Sequence, residues 1–149
     1  MSRYRVIICA LAATIAGLAA TGCQVGKPDA EADVLAFEMP IASDATPPAE
    51  EGYVWAALEI EVCSNVTADD GVAVERSNWT LELSDETRIS PAEHGLIDTP
   101  GPEVEGGGIY MLSYEECLTG WITYAVPEGS EPEAAIYSGA GESKRISLP

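Results

Sequence analysis

The sequence predicts an all-β protein: an immunoglobulin-like antiparallel β-sandwich of about seven strands, preceded by a signal peptide and a flexible tether. Apolar residues alternate with polar ones in several short segments, which is the period of a half-buried strand. Clusters of Pro, Gly, Asp and Ser separate these segments as turns do. No segment shows a convincing 3.6-residue period, so we expect no substantial helix.

The N-terminus has the pattern of an export signal. Arg3 and Arg5 precede an apolar run over residues 6–20. The length of this run matches the apolar core of a signal peptide, about 7 to 15 residues, better than a membrane-spanning helix, which needs roughly 20. We therefore assign residues 1–22 to a signal peptide.

The residues that follow the apolar run, Ala20-Thr21-Gly22-Cys23, resemble a lipobox, the signal of bacterial lipoproteins. The resemblance implies cleavage between Gly22 and Cys23 and acylation of the Cys23 thiol. Two acyl chains hold a protein stably on a bilayer, whereas one holds it marginally. We therefore expect a lipid anchor on the extracytoplasmic face of the cell membrane. The alternative is an ordinary secretory peptide that leaves a free Cys near the new terminus.

The charge excludes some partners. The chain has 149 residues with 25 acidic and 7 basic side chains, and cleavage before Cys23 removes two of the basic ones. Nucleic acid is bound mainly through Lys and Arg, so it is excluded as a default partner. The same excess of acid opposes adhesion to anionic lipid through a basic patch. The remaining length suffices for one domain and not for two.

The tether and the first strand precede the main body of the domain. Residues 23–33 are predicted to form the lipidated N-terminus and a flexible acidic tether, and residues 34–149 the sandwich. Prolines between residues 24 and 48 disfavour a helix there. Residues 34–37 are predicted to form an edge strand that ends before Pro40.

Residues 53–63 carry the strongest strand pattern. One parity holds Glu59 and Glu61, and the other is apolar: Val54, Ala56, Leu58, Ile60 and Val62. Cys63 falls on the parity of the glutamates. We therefore expect a bulge or strand end near Ser64 to turn the Cys63 side chain inward.

The remaining strands are shorter and separated by turns and one long loop. Turns are predicted at residues 69–71 and 84–86. Residues 90–108 contain three Pro and five Gly and are predicted to form a long loop. The strands are predicted at residues 79–83, 109–112, 120–126, 134–137 and 144–148.

Two cysteines remain for a disulfide bond. Cys9 leaves with the signal peptide and Cys23 is acylated, so Cys63 and Cys117 are left in an oxidising compartment. A structural disulfide is the default for such a pair. The alternative, a redox-active or metal-binding pair, has no Cys-x-x-Cys motif and only one histidine, His94, in the whole chain.

The order of motifs is distinctive. A strand ends in Cys-Ser-Asn, an acidic turn and Asn-Trp-Thr-Leu-Glu-Leu follow, and after the long loop Glu-Cys-Leu-Thr-Gly-Trp leads to Val-Pro-Glu-Gly. In this order residues 33–149 resemble the domain-of-unknown-function family 4352, immunoglobulin-like domains that follow a lipobox and tether in many Gram-positive lipoproteins.

The resemblance implies a fold and a location but no activity, because the family has none established. It implies that Gly120 opens an apolar strand that Pro127 ends, and that Cys117 pairs with Cys63. The sequence departs from the family at residues 84–87, where Ser-Asp-Glu-Thr replaces the usual Asp-Gly hairpin, and in its high acidity.

The sequence gives no catalytic residue, cofactor or metal site. His94 is interpreted as an exposed loop residue, because no nucleophile motif accompanies it. Asp69 and Asp70 offer oxygen ligands for Ca²⁺, but their spacing does not match an EF-hand loop. The three tryptophans lie on strand patterns and are predicted to be core residues: Trp55, Trp79 and Trp121.

The predicted function is therefore that of a non-catalytic, lipid-anchored, extracytoplasmic domain with an interaction or envelope role. Its protein partner is unknown, and its membrane contact is the lipid on Cys23. The alternative is a binding module whose acidic loops take a cation or a cationic peptide.

Overall fold

The computed structural model describes residues 29–41, 51–67, 71–93, 99, 101–104 and 108–149. Almost all regular structure in these residues is β. A single turn of 3₁₀ helix at Arg76–Asn78 precedes β4. The strands are β1 (Ala30–Ile41), β2 (Tyr53–Ser64), β3 (Val72–Val74), β4 (Trp79–Leu83), β5 (Arg88–Ile89), β6 (Tyr110–Leu112), β7 (Cys117–Pro127), β8 (Pro132–Gly139) and β9 (Glu142–Ser147).

Two antiparallel sheets make the sandwich. The first has the order β1-β2-β7 and the second the order β5-β4-β8-β9, while β3 and β6 form a separate two-stranded ribbon. Early strands therefore pair with late ones in both sheets, β2 with β7 and β4 with β8. This is the strand arrangement of an immunoglobulin-like sandwich. The fold class predicted from the sequence is confirmed.

The core lies between the inner faces of the two sheets. In the first sheet, Leu58 of β2 lies opposite Ile122 of β7. In the second, Trp79 of β4 lies opposite Tyr137 of β8, with ring centroids 4.9 Å apart. The burial of these apolar surfaces, worth about 25 cal/mol per Å², is the main term that stabilises the fold. Further core side chains are Ala56, Ile60, Val62, Val72, Val74, Leu81, Leu112, Tyr124 and Val126.

β1 is longer than the sequence pattern suggests. It begins at Ala30, four residues before the predicted start of the strand, and continues to Ile41. Ala30 and Ala32 are buried and alternate with exposed acidic residues, so the start of the strand has period 2, whereas the register shifts after Val34 and after Glu38. Alanine is only weakly apolar and disfavoured in strands, which hides this alternation in the sequence.

Cys63 does not turn inward. β2 continues in regular register to Ser64, and Cys63 stays on the outer parity, directly opposite Cys117 of β7. The strand end expected near Ser64 is present, but the expected inward turn of the Cys63 side chain is wrong. The predicted disulfide is present, with the two Cα atoms 4.0 Å apart, because side chains of directly opposed residues already lie within reach of each other. The bridge links adjacent strands of one sheet on its outer face.

The long loop contributes one core residue, Val104, and a short segment that pairs with β7. The backbone N–H of Val104 donates to the carbonyl of Trp121 at 2.8 Å, and the N–H of Trp121 donates to the carbonyl of Pro102 at 2.9 Å. The loop therefore runs along β7 like a short edge strand. Val104 is 3 % exposed, and a Cβ on Gly120 would lie 2.9 Å from its Cγ2 atom. Glycine at position 120 leaves the space that Val104 occupies.

Candidate functional site

The described chain begins at the end of the sandwich where β2 finishes and β7 starts. The N–H of Asn65 donates to the carbonyl of Asp29 at 2.9 Å. The N–H of Ser64 donates to the carbonyl of Glu116 at 2.9 Å, and the Ser64 carbonyl accepts from the N–H of Glu115 at 3.0 Å. These bonds and the disulfide fix β1, β2 and the turn before β7 together. We call this the N-terminal end of the sandwich.

Acidic side chains line the outer face of the first sheet next to the disulfide. Asp33 of β1 lies opposite Glu61 of β2, an arrangement in which like charges repel. Thr119 donates from Oγ1 to a Glu61 carboxylate oxygen at 3.3 Å, and Lys144 Nζ lies 3.1 Å from Asp33 Oδ1. Within the described ranges, no group of three His, Cys, Asp or Glu side chains is arranged to hold a metal ion.

Glu82 is the centre of an ion-pair cluster on the second sheet. Arg145 Nε donates to Glu82 Oε1 at 2.7 Å, and Arg88 Nη2 lies 3.5 Å from Glu82 Oε2. A second nitrogen of Arg145 lies 3.5 Å from Glu133 Oε2. The hydrogen bond from Arg145 holds the pKa of Glu82 below its ordinary value and raises the pKa of Arg145. Two cations are therefore engaged by one strand residue.

The other two cations of the described residues also have partners. Lys144 donates to the Ala32 carbonyl at 2.6 Å as well as to Asp33, which joins the edge of β1 to β9 of the other sheet. Arg76 donates from Nη2 to the Glu93 carbonyl at 2.9 Å. No basic side chain in the described part of the chain is therefore without a partner, although acids outnumber bases there.

A cavity of about 400 Å³ lies beside the 3₁₀ turn, where the long loop leaves and returns to the sandwich. Glu75, Arg76 and Glu93 are among its lining residues. Among the described residues, the lining therefore includes two acidic residues, one basic residue and two serines. Its other lining residues are Ser77, Ser90, Pro91, Gly108 and Ile109.

An apolar strip continues from the cavity along the ribbon. Ile109 is 62 % exposed and Met111 is 56 % exposed, and they occupy alternate positions at and beside β6. Ala73 of β3 lies opposite Met111 and is also exposed. We define these three residues as the apolar strip. Neither the cavity nor the strip is evident from the sequence pattern, because residues 75 and 109 meet only through the fold.

The tryptophans are buried, but on two different faces. Trp79 belongs to the core between the sheets. Trp55 and Trp121 occupy the outer parity of the first sheet, where they are 8 % and 5 % exposed. A Cβ on Gly101 would lie 2.7 Å from Trp121 Nε1, so the long loop packs directly on this indole. All three tryptophans are therefore buried as predicted, and Trp79 is the one that belongs to the cluster between the two sheets.

Tyr124 is a buried phenol in the core next to the cavity residue Arg76. Its side chain is 0 % exposed, and no atom of the described residues is a hydrogen-bond partner of its hydroxyl. Burial raises the pKa of the Tyr124 hydroxyl well above its ordinary value, and the charge of Arg76 opposes the shift. The phenol is therefore held neutral.

Several predicted site residues lie outside the described residues. These are Gly22 and Cys23 of the lipobox, His94, and the acidic pair Asp69 and Asp70. Across the described ranges, no helix has the length and apolar character needed to cross a membrane.

Comparison with known proteins gives no relative for this fold and site. No family model matches the chain, and neither do any curated protein or any solved structure.

Proposed function

We propose that this chain is a non-catalytic lipoprotein domain, cleaved between Gly22 and Cys23 and held by acylated Cys23 on the extracytoplasmic face of the cell membrane. The observation that carries the proposal is the Cys63–Cys117 disulfide, which fits an oxidising compartment outside the cytoplasm. The apolar run that precedes Cys23 supplies the export signal.

The position of the first described residue supports a short link to the membrane. Asp29 is bound at the N-terminal end of the sandwich, only six residues after Cys23. Six residues span at most about 20 Å, since an extended chain covers roughly 3.3–3.6 Å per residue. An anchor on Cys23 therefore turns the N-terminal end toward the bilayer and the opposite turns away from it.

The kinship with family 4352 is part of the proposal. β7 ends at Pro127, and Gly129 in the following turn has a φ of 82°. Both features support the family pattern, because the left-handed region favours glycine. Gly120 does not open the strand, since β7 begins three residues earlier at Cys117.

The anchor is tested by Cys23→Ala in intact cells, with Cys9→Ala as the matched control. We expect Cys23→Ala to lose incorporation of labelled fatty acid and to move from the membrane pellet to the soluble fraction. Cys9→Ala lies in the predicted signal peptide and is expected to keep both properties. Fatty acid or pellet association that persists in Cys23→Ala would overturn the proposal.

A second candidate function is a module that binds a cationic peptide. Two features of the described residues favour it: acidic side chains outnumber basic ones, and each basic side chain is already engaged within the chain. Isothermal titration of the purified chain with oligolysine tests this function. Heat that disappears at high salt supports it, and no heat at low salt would refute it.

A further inference from the structure

We propose that the apolar strip and the adjoining acidic cavity form one docking surface for an extended peptide segment with a Lys or Arg followed by apolar residues at alternate positions. The inference rests on the second candidate function. It specifies where on the domain the peptide binds and which peptide sequence is preferred.

The apolar strip supplies exposed apolar contact area on the ribbon. Single exposed apolar residues are ordinary on protein surfaces. Here, however, Ile109 and Met111 follow each other at alternate positions, with Ala73 beside Met111. Alternate residues of a strand lie on one face, roughly 7 Å apart. An extended peptide that runs along the ribbon places its own alternate side chains at the same spacing.

The cavity supplies the charged contact at one end of this strip. Ile109 belongs to both features, so they are continuous. Two acidic residues, Glu75 and Glu93, line the cavity, and the one basic lining residue among those described, Arg76, is already engaged by the Glu93 carbonyl. A Lys or Arg side chain of the partner gains attraction from these two acidic residues and brings its aliphatic stem against Ile109.

The negative charge of the chain favours a cationic peptide on this surface over a second copy of the chain or an anionic bilayer. A second copy of the chain carries a formal charge of −18 and is repelled. An anionic bilayer has the same sign and is also disfavoured. A cationic and apolar peptide complements both parts of the surface. The small contact area implies weak binding, with a Kd of about 0.1–1 mM.

The test uses the full chain purified in detergent and labelled with ¹³C at the methionine methyl groups. Met111 reports on the strip, and Met39, which packs against the core, serves as the internal control. The probe is the peptide Lys-Ser-Val-Ser-Val with blocked ends. Two control peptides replace the Lys with Glu, or both Val residues with Ser.

We expect the probe to shift the Met111 methyl resonance in a saturable way and to leave Met39 unchanged. Both control peptides should bind at least threefold more weakly, since each lacks one of the two contacts. Glu75→Gln and Glu93→Gln should each weaken probe binding by about threefold, and Met111→Ser by about fivefold. Because Met111→Ser removes the methyl reporter, binding to this variant is measured from the backbone amide shifts of the ribbon. The matched controls Glu128→Gln and Leu35→Ser lie elsewhere on the surface and should bind like the unchanged chain.

Three results would overturn the docking surface. They are equal binding of all three peptides, binding that shifts other resonances but not those of the ribbon, and a concentration-dependent shift of Met111 without peptide, which would assign the strip to a second copy. In the first two cases, binding heat in the titration with oligolysine would still support the cationic-peptide function but would place its site elsewhere on the chain. Absence of both the heat and the shift removes the function together with the surface.

Discussion

Cys63 and Cys117 face each other across β2 and β7 with Cα atoms 4.0 Å apart, on the side of the sheet that faces away from the core. The bridge therefore occupies no core volume. Its contribution to stability comes mainly from the unfolded chain, whose freedom it restricts by closing a long loop. A bridge between the two sheets of a sandwich differs from it, because such a bridge lies in the core.

Replacing both cysteines with serine should lower the free energy of unfolding by about 4 kcal/mol, the loop-closure value for a separation of 54 residues. The folded structure should persist, because neither side chain belongs to the core. Urea denaturation of Cys63→Ser/Cys117→Ser against the unchanged chain measures the loss. An unchanged midpoint, or free thiols on both residues in a non-reducing peptide map, would contradict this prediction.

Gly120→Ala should destabilise the fold by about 1–3 kcal/mol, because the new Cβ lies 2.9 Å from Val104 Cγ2 and 3.2 Å from the Pro102 carbonyl oxygen. Val104→Ala alone should also destabilise, since it leaves a cavity. The double variant should be more stable than the sum of the two losses predicts, because Val104→Ala removes the closer of the two contacts, the one with Val104 Cγ2. Additive losses in thermal denaturation would show that the two positions do not interact.

Tyr124→Phe should leave stability at pH 7 unchanged or raise it by about 1 kcal/mol, because it removes a buried hydroxyl that has no partner among the described residues. The pKa of Tyr124 is raised in the folded chain, so its contribution to stability is present below the ordinary value of 10.0 and is lost as the pH rises above it. Between pH 9 and pH 11, the free energy of unfolding of Tyr124→Phe should therefore fall less than that of the unchanged chain. A loss of more than about 1 kcal/mol at pH 7 would refute the prediction.

Glu82→Gln should destabilise the fold at pH 7, with a loss that shrinks in acid. The hydrogen bond from Arg145 lowers the pKa of Glu82 below its ordinary value of 4.5. The stabilisation is therefore complete above pH 4.5 and disappears as the pH falls through the lower pKa of the folded chain. Urea midpoints at pH 7 and pH 3 measure the effect. Glu128→Gln, in the exposed turn after β7, is the control. An equal difference between Glu82→Gln and the unchanged chain at both pH values would count against the prediction.

The sequence predicted the elements with clear alternation best. β4 has the predicted bounds, and β2 has the predicted apolar parity. β3 and β5 were not predicted, because two or three residues are too few to show a period. Val104 was missed for a related reason. It is a lone apolar residue among Pro and Gly, and its burial depends on the space left by Gly120.

The candidate site was predicted less well than the fold. The Cys63–Cys117 pairing followed from counting cysteines, but its outer position did not, because a disulfide was expected to need an inward side chain. The cavity beside Glu75 and Glu93 joins residues from three segments far apart in the chain. Local sequence patterns do not predict contacts between segments that are distant in the chain.

The two ends of the described chain leave the sandwich at opposite poles. β1 starts beside Asn65, whereas the N–H of Leu148 donates to the Glu133 carbonyl near the start of β8. Tension applied between these points loads β1 and β2 in shear, so that their backbone hydrogen bonds must fail together rather than one by one. The Cys63–Cys117 bond clamps β2 to β7 at the pole where the load enters. A pull on the N-terminus would therefore be opposed by the β1–β2 hydrogen bonds, next to a β2–β7 pair that is covalently closed.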